Sequence, residues 1–312
     1  MLNRVLRQLG VVLGTLLVVS FLVFALNEFA PGDVARKLLG AYATQDQVDR
    51  LTVEMGLDRP VLVRYVAYLG DVLTGNLGQS TVYKVPVSQI LWDRLANTAL
   101  LAAIAFAVIV PVSILLGLLA GMREGSALDR LISLGASFLA AIPEFAMGVI
   151  LVSIFVVWLG WLPGTAPMTT SGGWSIAAQL VLPVAVVALY DMSYLIAMIR
   201  VSMVEVMRQP YIRTAVLKGM TTRQVITRHA LRNALIAPFT VIMLQINYLI
   251  AGVVVVETVF AYPGFGRMML EAAMAKDIAL VEAGTLVAVT IAMLTQMAGD
   301  IGYRAIDPRI RV

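Results

Sequence analysis

The sequence predicts an all-α protein that crosses a membrane several times. Of its 312 residues, 60% are hydrophobic and only 13% are charged, and the mean hydropathy is +0.89. Soluble domains are about half apolar and about a quarter charged. An apolar excess of this size does not fit inside one globular core, so we expect lipid to surround much of the chain.

Six apolar runs approach or exceed the length that a helix needs to cross a bilayer, about 17–25 residues. They are 11–26, 98–122, 131–162, 176–199, 234–256 and 279–301. The third run is too long for one straight crossing of a ~30 Å hydrocarbon core. Pro143 lies inside it, so we expect a kink, a tilt or an interfacial end there.

The first apolar run follows Arg4 and Arg7, as the apolar part of a signal peptide does. It is longer than the usual run of about 7–15 residues, and residues 27–29 form a poor cleavage site for signal peptidase. We therefore expect an uncleaved membrane anchor.

The basic residues of the short loops predict the orientation, because cytoplasmic loops are enriched in Lys and Arg. They concentrate before span one, between spans two and three, between spans four and five, and after span six, whereas the loop 164–173 has none. The segment 30–95 carries seven basic residues, but long translocated segments escape this rule. Six spans with both termini in the cytoplasm satisfy the pattern.

The segment between spans one and two carries signals of short helices. Thr44 and Gln47 form a capping-box pattern, Gly56 suits a helix end, and Pro60 suits the start of a second helix. Its content of aromatic and branched residues is too high for a disordered loop. We therefore predict three parts: an anchor helix with a small extracytoplasmic helical segment (1–95), a transmembrane core (96–303) and a cytoplasmic tail (304–312).

The segment between spans four and five reads YIRTAVLKGMTTRQVITRHALRNALIAP over residues 211–238. Pro210 suits a first helical turn and Gly219 suits a helix end, which predicts a helix of about two turns. Ile212, Ala215 and Val216 are expected on one side of it. Thr221 and Gln224 then form a capping box that begins a second helix, which enters span five at Pro238.

Three interpretations of this basic segment are open. It could serve only to fix topology, it could bind anionic lipid, or it could dock another protein. The first two interpretations do not require the tight turn at Gly219 or a pair of capped helices. We therefore favour a docking surface.

At this point the residues resemble a known family. The stretches YIRTAVLKG (211–219) and RHALRNA (228–234) resemble the coupling loop of type I ABC importer permeases, and more narrowly that of the dipeptide, oligopeptide and nickel permeases. Further motifs resemble the B-type subunit of that family: NEFAPGD (27–33), GLDRPVLVRY (56–65), GNLGQS (75–80), RLANTALLA (94–102), FAYPGFGR (260–267) and DPRIR (307–311). The broader family pattern begins its coupling helix with Glu-Ala-Ala, and this chain has Arg213, Thr214 and Ala215 there.

The resemblance implies the type I ABC importer fold and half of a translocation pathway for peptides or a related small solute. It assigns contact with an ATPase to Tyr211, Arg213, Thr214, Ala215, Lys218 and Gly219. The implied partners are a homologous second permease, one or two cytoplasmic ABC ATPase subunits, an extracytoplasmic substrate-binding protein and membrane lipid, but no nucleic acid. The implied location is the inner (plasma) membrane of a prokaryote. The cargo stays open among dipeptides, oligopeptides, nickel complexes and modified sugars.

The sequence predicts no catalytic residue, metal site or bound cofactor in this chain. It has no cysteine and one histidine, His229, which cannot build a zinc site alone. It also lacks a glycine-rich phosphate loop that ends in Gly-Lys-Ser or Gly-Lys-Thr. We therefore expect partner ATPase subunits to use the ATP.

Four polar residues inside the spans are candidates for lining or gating the translocation pathway: Glu144, Asp191, Gln245 and Asn247. Polar groups inside a membrane are costly and usually face a cavity or a partner. The alternative is that they form hydrogen bonds between helices.

Residues 260–276 predict a turn at Pro263, Gly264 and Gly266 that leads into a short helix, 267–276. The resemblance places this helix at the outer mouth, near a docked substrate-binding protein. An interfacial helix anchored by Tyr262 and Phe265 is compatible with that position.

Two other functions are weaker alternatives. Tyr190-Asp191 and the stretch 297–300 resemble the two motifs of an intramembrane aspartyl protease, but that motif needs glycine where Met297 stands. Asp300 is also expected near the cytoplasmic end of span six, too far from Asp191 to share a proton. An ion-driven secondary transporter would be expected to show internal repeats, and we find none.

Overall fold

The computed structural model describes residues 2–28, 36, 39, 42–54, 56 and 58–306. Most of the NEFAPGD motif and the DPRIR motif lie outside these residues, as do the side chains of Arg4, Arg7, Asn247 and Asp300. The chain forms two compact units: one comprises Met1–Arg94 and Met268–Met293, and the other comprises Leu95–Arg267 and Leu294–Val312. The three predicted parts with boundaries at 95/96 and 303/304 remain predictions.

Within the described residues the chain is helical, and its one β-bridge, between Gln79 and Pro86, is isolated. Up to the third predicted span the helices are α1 (Leu2–Glu28), α2 (Gln45–Glu54), α3 (Val61–Leu73), α4 (Val87–Met122), α5 (Ala127–Ala141) and α6 (Glu144–Val152), which continues as a π-helical turn (Ser153–Trp158). The next are α7 (Ile176–Met207), α8 (Pro210–Leu217), α9 (Thr222–Val225), a π-helical turn (Ile226–Ala230) and α10 (Leu231–Ala234). The last are α11 (Ile236–Gly252), α12 (Val254–Val259), α13 (Phe265–Ala275) and α14 (Ile278–Ile306).

Among the described residues, helices lie at each of the six predicted apolar runs, and three of them are single helices that pass as membrane spans. Helices α4, α7 and α14 are each long and apolar enough to cross a membrane. Two bent pairs of helices would raise the number to five if each counts as one span: α5 with the α6 segment, and 222–234 with the start of α11. The shorter apolar stretch Gly10–Leu26 lies within α1. The described part of the chain therefore confirms an all-helical polytopic membrane protein.

The third span breaks at Pro143 more sharply than the sequence predicts. Helix α5 ends at Ala141, Ile142 is extended, and α6 starts at Glu144 at an angle of 99° to α5. Proline pushes the residue before it out of the helical conformation and has no N–H for the helix ladder. The expected kink is therefore a full break, which places Glu144 in a first helical turn.

Helices α4 and α7 approach closely through two glycines one helical turn apart. A Cβ atom at Gly117 would lie 2.7 Å from the Cβ of Ile199, and a Cβ atom at Gly121 would lie 2.7 Å from the Cβ of Met203. Small residues four apart allow two membrane helices to pack backbone to backbone. This GxxxG pair therefore fixes α4 against the C-terminal half of α7.

The segment between spans one and two has the predicted helix ends. The Thr44 N–H donates to Gln47 Oε1 at 3.0 Å, Gly56 has a φ of +64°, and Pro60 directly precedes α3. Helix α3 packs on α1, where the Tyr65 hydroxyl lies 2.7 Å from Ser20 Oγ and donates to the Leu17 carbonyl at 3.1 Å. The small helical segment is thus held against the anchor helix.

Candidate functional site

Helix α8 has the start and the end that the sequence predicts. It begins at Pro210, after an extended Gln209, and Gly219 follows it with a φ of +79°. The Gly219 N–H donates to the Val216 carbonyl at 2.9 Å, and the Met220 N–H donates to the Ala215 carbonyl at 3.3 Å. These two bonds form a Schellman motif, which stops the helix at a defined residue.

A second short helix starts at Thr222, three residues after Gly219, with Thr221 as its N-cap. The Thr221 hydroxyl accepts from the Gln224 N–H at 3.4 Å, and the Gln224 side chain accepts from the Thr221 N–H at 3.0 Å. The predicted capping box is therefore confirmed. Because both helix ends are closed by specific hydrogen bonds, the turn between α8 and α9 has little freedom.

One face of α8 packs into the protein. Ile212 and Ala215 are buried against Met203 of α7 and against Val225 and Ala234 of the following helices. Val216, predicted on the same side, is instead 55% exposed. The prediction for Val216 is wrong because a helix of two turns at the edge of the unit covers only a narrow stripe, which residues 212 and 215 fill.

The other face of α8 is exposed and partly apolar. Leu217 is 79% exposed, and Arg213, Thr214, Lys218 and Gly219 are also exposed. Tyr211 is partly exposed, and its hydroxyl accepts from the Asn233 side chain at 3.0 Å. The structure therefore places five of the six predicted coupling residues at the surface and places Ala215, which is 5% exposed, inside.

The surface around α8 is basic. The stretch 208–234 contains no acidic residue, and its exposed basic side chains include Arg213, Lys218, Arg223, Arg228 and Arg232. Charge of one sign around an exposed apolar side chain favours a partner with a complementary acidic rim.

A buried ion pair fixes the start of α5 to α7. Asp129 lies in the first turn of α5 and accepts from both Nε and Nη2 of Arg200, the latter at 2.8 Å. It also accepts from the Gly125 N–H at 2.8 Å and from the Ser133 hydroxyl at 3.2 Å. A buried carboxylate with this many donors holds its partner helix in one orientation. No local pattern in the sequence predicts this pair, because 71 residues separate its members.

Replacing Asp129 with asparagine is expected to lower the free energy of unfolding by roughly 2–4 kcal/mol, because one side of a bidentate, largely buried pair loses its charge. The measurement is the thermal unfolding of the purified permease complex. The control is Glu124→Gln, whose exposed pair with Arg208 at 2.6 Å should contribute at most about 1 kcal/mol. Equal effects of the two substitutions would contradict the conclusion that the Asp129–Arg200 pair stabilises the fold more than the exposed pair does.

Three of the four predicted pathway residues come together in the second unit. Glu144 accepts from the Tyr248 hydroxyl of α11 at 3.2 Å. Asp191 is buried near the middle of α7, with Gln245 of α11 and Glu144 both within electrostatic range. The side chain of Asn247 lies outside the described residues. Tyr248 was not predicted, and only its spacing from Gln245 along α11 marks it as a neighbour.

A second buried carboxylate, Glu257 of α12, was missed by sequence analysis. It is fully buried and accepts from the Thr98 hydroxyl at 2.5 Å and from the Arg267 N–H at 2.8 Å. Thr98 in turn accepts from the Phe265 N–H at 2.7 Å. The signal that could have revealed it is the glycine pair of FAYPGFGR, because Gly264 and Gly266 allow the turn to close over the carboxylate.

Tyr262 and Phe265 are not interfacial anchors. Both are buried, and the Tyr262 hydroxyl donates to the Asn97 carbonyl at 2.6 Å while the Asn97 amide donates to the Pro263 carbonyl at 2.9 Å. A residue that anchors a helix at the membrane surface keeps its polar end in the headgroup region. These two side chains instead hold the predicted turn against the start of the second span.

Comparisons with known proteins match this chain to membrane components of transport systems along nearly its whole length. Residues 113–312 match the family model "Binding-protein-dependent transport system inner membrane component", and residues 1–102 match the N-terminal model of the same systems. A putative peptide transport system permease protein of Brucella abortus is 36% identical over 310 residues, which are 98% of each chain. The oligopeptide transport system permease protein AppB of Bacillus subtilis is 33% identical over 313 residues, covering 99% of this chain and 98% of AppB.

Solved structures share the fold. The inward-facing MetNI methionine ABC transporter matches with a TM-score of 0.50 at 19% identity, over 71% of this chain and 96% of the other. An amino acid ABC transporter crystallised with histidines matches with a TM-score of 0.51 at 13% identity, over 72% and 95%. Neither the secondary transporter nor the protease finds support in these matches. The chain therefore belongs to the binding-protein-dependent transport system inner membrane components, as a B-type, multi-pass permease subunit of a type I ABC importer.

Proposed function

We propose that this permease forms half of the translocation pathway of an ATP-driven peptide importer and couples to a cytoplasmic ATPase through α8. The observation that carries the coupling is the exposed apolar side of a helix whose two ends are fixed, at Pro210 and at Gly219. The names of the relatives, which refer to peptide and oligopeptide transport, support the cargo class. Nickel complexes and modified sugars are the other cargoes of the wider family.

The chemistry of the α8 surface fits a groove on a partner protein. Leu217 and Val216 present an apolar edge with basic neighbours on either side. An amphipathic helix binds a groove on its partner through such apolar anchors. The buried side chains of Ile212 and Ala215 hold α8 against the permease itself. Tyr211, Arg213, Thr214, Lys218 and Gly219 surround these anchors, and Ala215 supports the helix from behind.

Hydrogen bonds near α8 connect it with the residues that directly precede α11, a helix of the predicted fifth span. Tyr211 is joined to Asn233, and the Ser202 hydroxyl of α7 donates to the Ala234 carbonyl at 2.7 Å, directly before α11 begins. A displacement of α8 is therefore passed to α11, which carries Gln245 and Tyr248. ATP can shift the transporter between inward-open and outward-open states only through its differential affinity for the two.

The proposal also implies a location, an orientation and partner subunits for this chain. The chain lies in the inner membrane of a prokaryote with both termini in the cytoplasm. It works with a homologous second permease, one or two ATPase subunits and an extracytoplasmic binding protein. The partner ATPase uses the ATP, so the purified chain alone is expected to hydrolyse none.

A cysteine at Leu217 is expected to form a crosslink with an ATPase subunit in the assembled complex, because this side chain is 79% exposed on the proposed docking face. The natural chain contains no cysteine, so each variant carries a single thiol. The measurement is the yield of the crosslinked product with a short bifunctional thiol reagent and an ATPase subunit that carries surface cysteines.

The matched control is Ala215→Cys on the same helix, since Ala215 is 5% exposed and packs into the permease. We expect little product from it. No crosslink from Leu217→Cys in a complex that still hydrolyses ATP, or equal yields from both positions, would contradict the proposed docking face.

A further inference from the structure

Within the part of the chain that the structure describes, two carboxylates of the second unit each have an oxygen with no hydrogen-bond partner. Asp191 is 6% exposed, and its Oδ2 atom has no hydrogen-bond partner among the described residues. The Oε1 atom of Glu144 is likewise buried and without a partner there. Buried polar atoms are nearly always hydrogen-bonded, so each of these two exceptions calls for an explanation.

Among the described residues, no protein cation accompanies this pair. No lysine or arginine forms an ion pair with Glu144 or Asp191 in the part of the chain that the structure describes. A carboxylate at this depth in a membrane is costly unless a cation or a proton neutralises it. Among the described residues no three acidic or histidine side chains converge as a metal site would require.

Aromatic side chains complete the surroundings of the two carboxylates. Tyr248 contacts Glu144 directly, and Tyr190 lies within electrostatic range of Tyr248. Carboxylates next to tyrosine side chains are a combination that recognises an organic ammonium group.

We propose that Glu144 and Asp191 bind an ammonium group of the cargo, namely the N-terminal ammonium of a peptide, in the middle of the membrane. The inference rests on the proposed function as a peptide importer. It accounts for the two free oxygens, which a role limited to hydrogen bonds between helices would leave unexplained.

The geometry also explains how binding would depend on the state of the transporter. Tyr248 and Gln245, which cover the two carboxylates here, both belong to α11. Helix α11 begins at Ile236, shortly after the Ala234 carbonyl that accepts from Ser202 of α7, and in the proposed function it moves with α8. A displacement of α11 uncovers the carboxylates for cargo, and its return expels the cargo. The affinity for the ammonium group thus differs between the two states, as coupling requires.

The test uses the complex of this chain with its permease and ATPase partners in lipid nanodiscs, without the binding protein. Tri-alanine and N-acetyl-tri-alanine are titrated separately, and the thermal unfolding midpoint of the complex is measured. A ligand that binds the folded state raises this midpoint with concentration. We expect tri-alanine to raise it and the acetylated peptide, which lacks the ammonium group, to leave it unchanged.

Two variants and one control locate the effect. Asp191→Asn and Glu144→Gln should each weaken the apparent affinity for tri-alanine at least about ten-fold, because each removes a charge-assisted hydrogen bond. Glu205→Gln, an exposed carboxylate on α7 outside the site, should match the natural protein. Using both variants guards against the case in which one of them fails to fold.

Separate outcomes decide the two proposals. ATP-driven uptake of tri-alanine into proteoliposomes by the natural complex with its binding protein tests the importer itself, and no uptake of any peptide would overturn the proposed function. If uptake occurs, equal shifts from the free and acetylated peptides, or no shift from either, would overturn the ammonium site alone.

Discussion

Replacing Gly219 with valine is expected to lower ATP-driven uptake at least about ten-fold while ATP hydrolysis by the complex continues. Gly219 has a φ of +79°, which costs a residue with a side chain about 1–2 kcal/mol, and more if it is β-branched. The chain relieves this strain by giving up the two hydrogen bonds that end α8. Helix α8 then loses its fixed angle to α9, and movement of the ATPase no longer reaches α11.

The measurement is peptide uptake per ATP hydrolysed in proteoliposomes. Gly173→Val is the matched control, because Gly173 has a φ of +78° and, like Gly219, no atom within 4 Å of the position of a Cβ atom. It carries the same conformational cost in a different loop of the same unit. Gly219→Asn should retain most uptake, since asparagine tolerates the left-handed region. Normal uptake by Gly219→Val, or an equal loss in Gly173→Val, would refute the coupling role of the turn.

Replacing Gly264 with alanine is expected to destabilise the permease by roughly 3–5 kcal/mol, enough to reduce the amount of complex in the membrane. A Cβ atom at this position would collide with the carboxylate of Glu257. That carboxylate cannot withdraw, because it accepts from Thr98 and from the Arg267 N–H in a fully buried site. The turn must therefore open, which takes the Arg267 N–H away from a buried charge.

The readouts for Gly264→Ala are the yield of assembled complex and its thermal unfolding midpoint. Gly172→Ala is the control, because Gly172 has an ordinary φ and no atom within 4 Å of its Cβ position. We expect that control to behave as the natural protein does. A Gly264→Ala complex with an unchanged yield and midpoint would show that the turn tolerates the displacement of Glu257.

The sequence alone determined the spans and most helix ends. Apolar runs are a property of composition over some 20 residues, and lipid enforces helices in them because no water is present to satisfy the backbone. Helix ends at Gly219 and Thr221 depend on one or two neighbouring residues, so they too can be read locally. The break at Pro143 was visible for the same reason, although its 99° angle was not.

Which side chains meet was decided only by the tertiary structure. Thr98 and Glu257 are 159 residues apart, and Glu144 and Tyr248 are 104 residues apart. Helical periodicity gives the face of a residue but not its partner, and it placed both Ala215 and Val216 on the inner side of α8. The pairing depends on how whole helices pack against each other, through contacts such as those at Gly117 and Gly121, and no local pattern of residues encodes that arrangement.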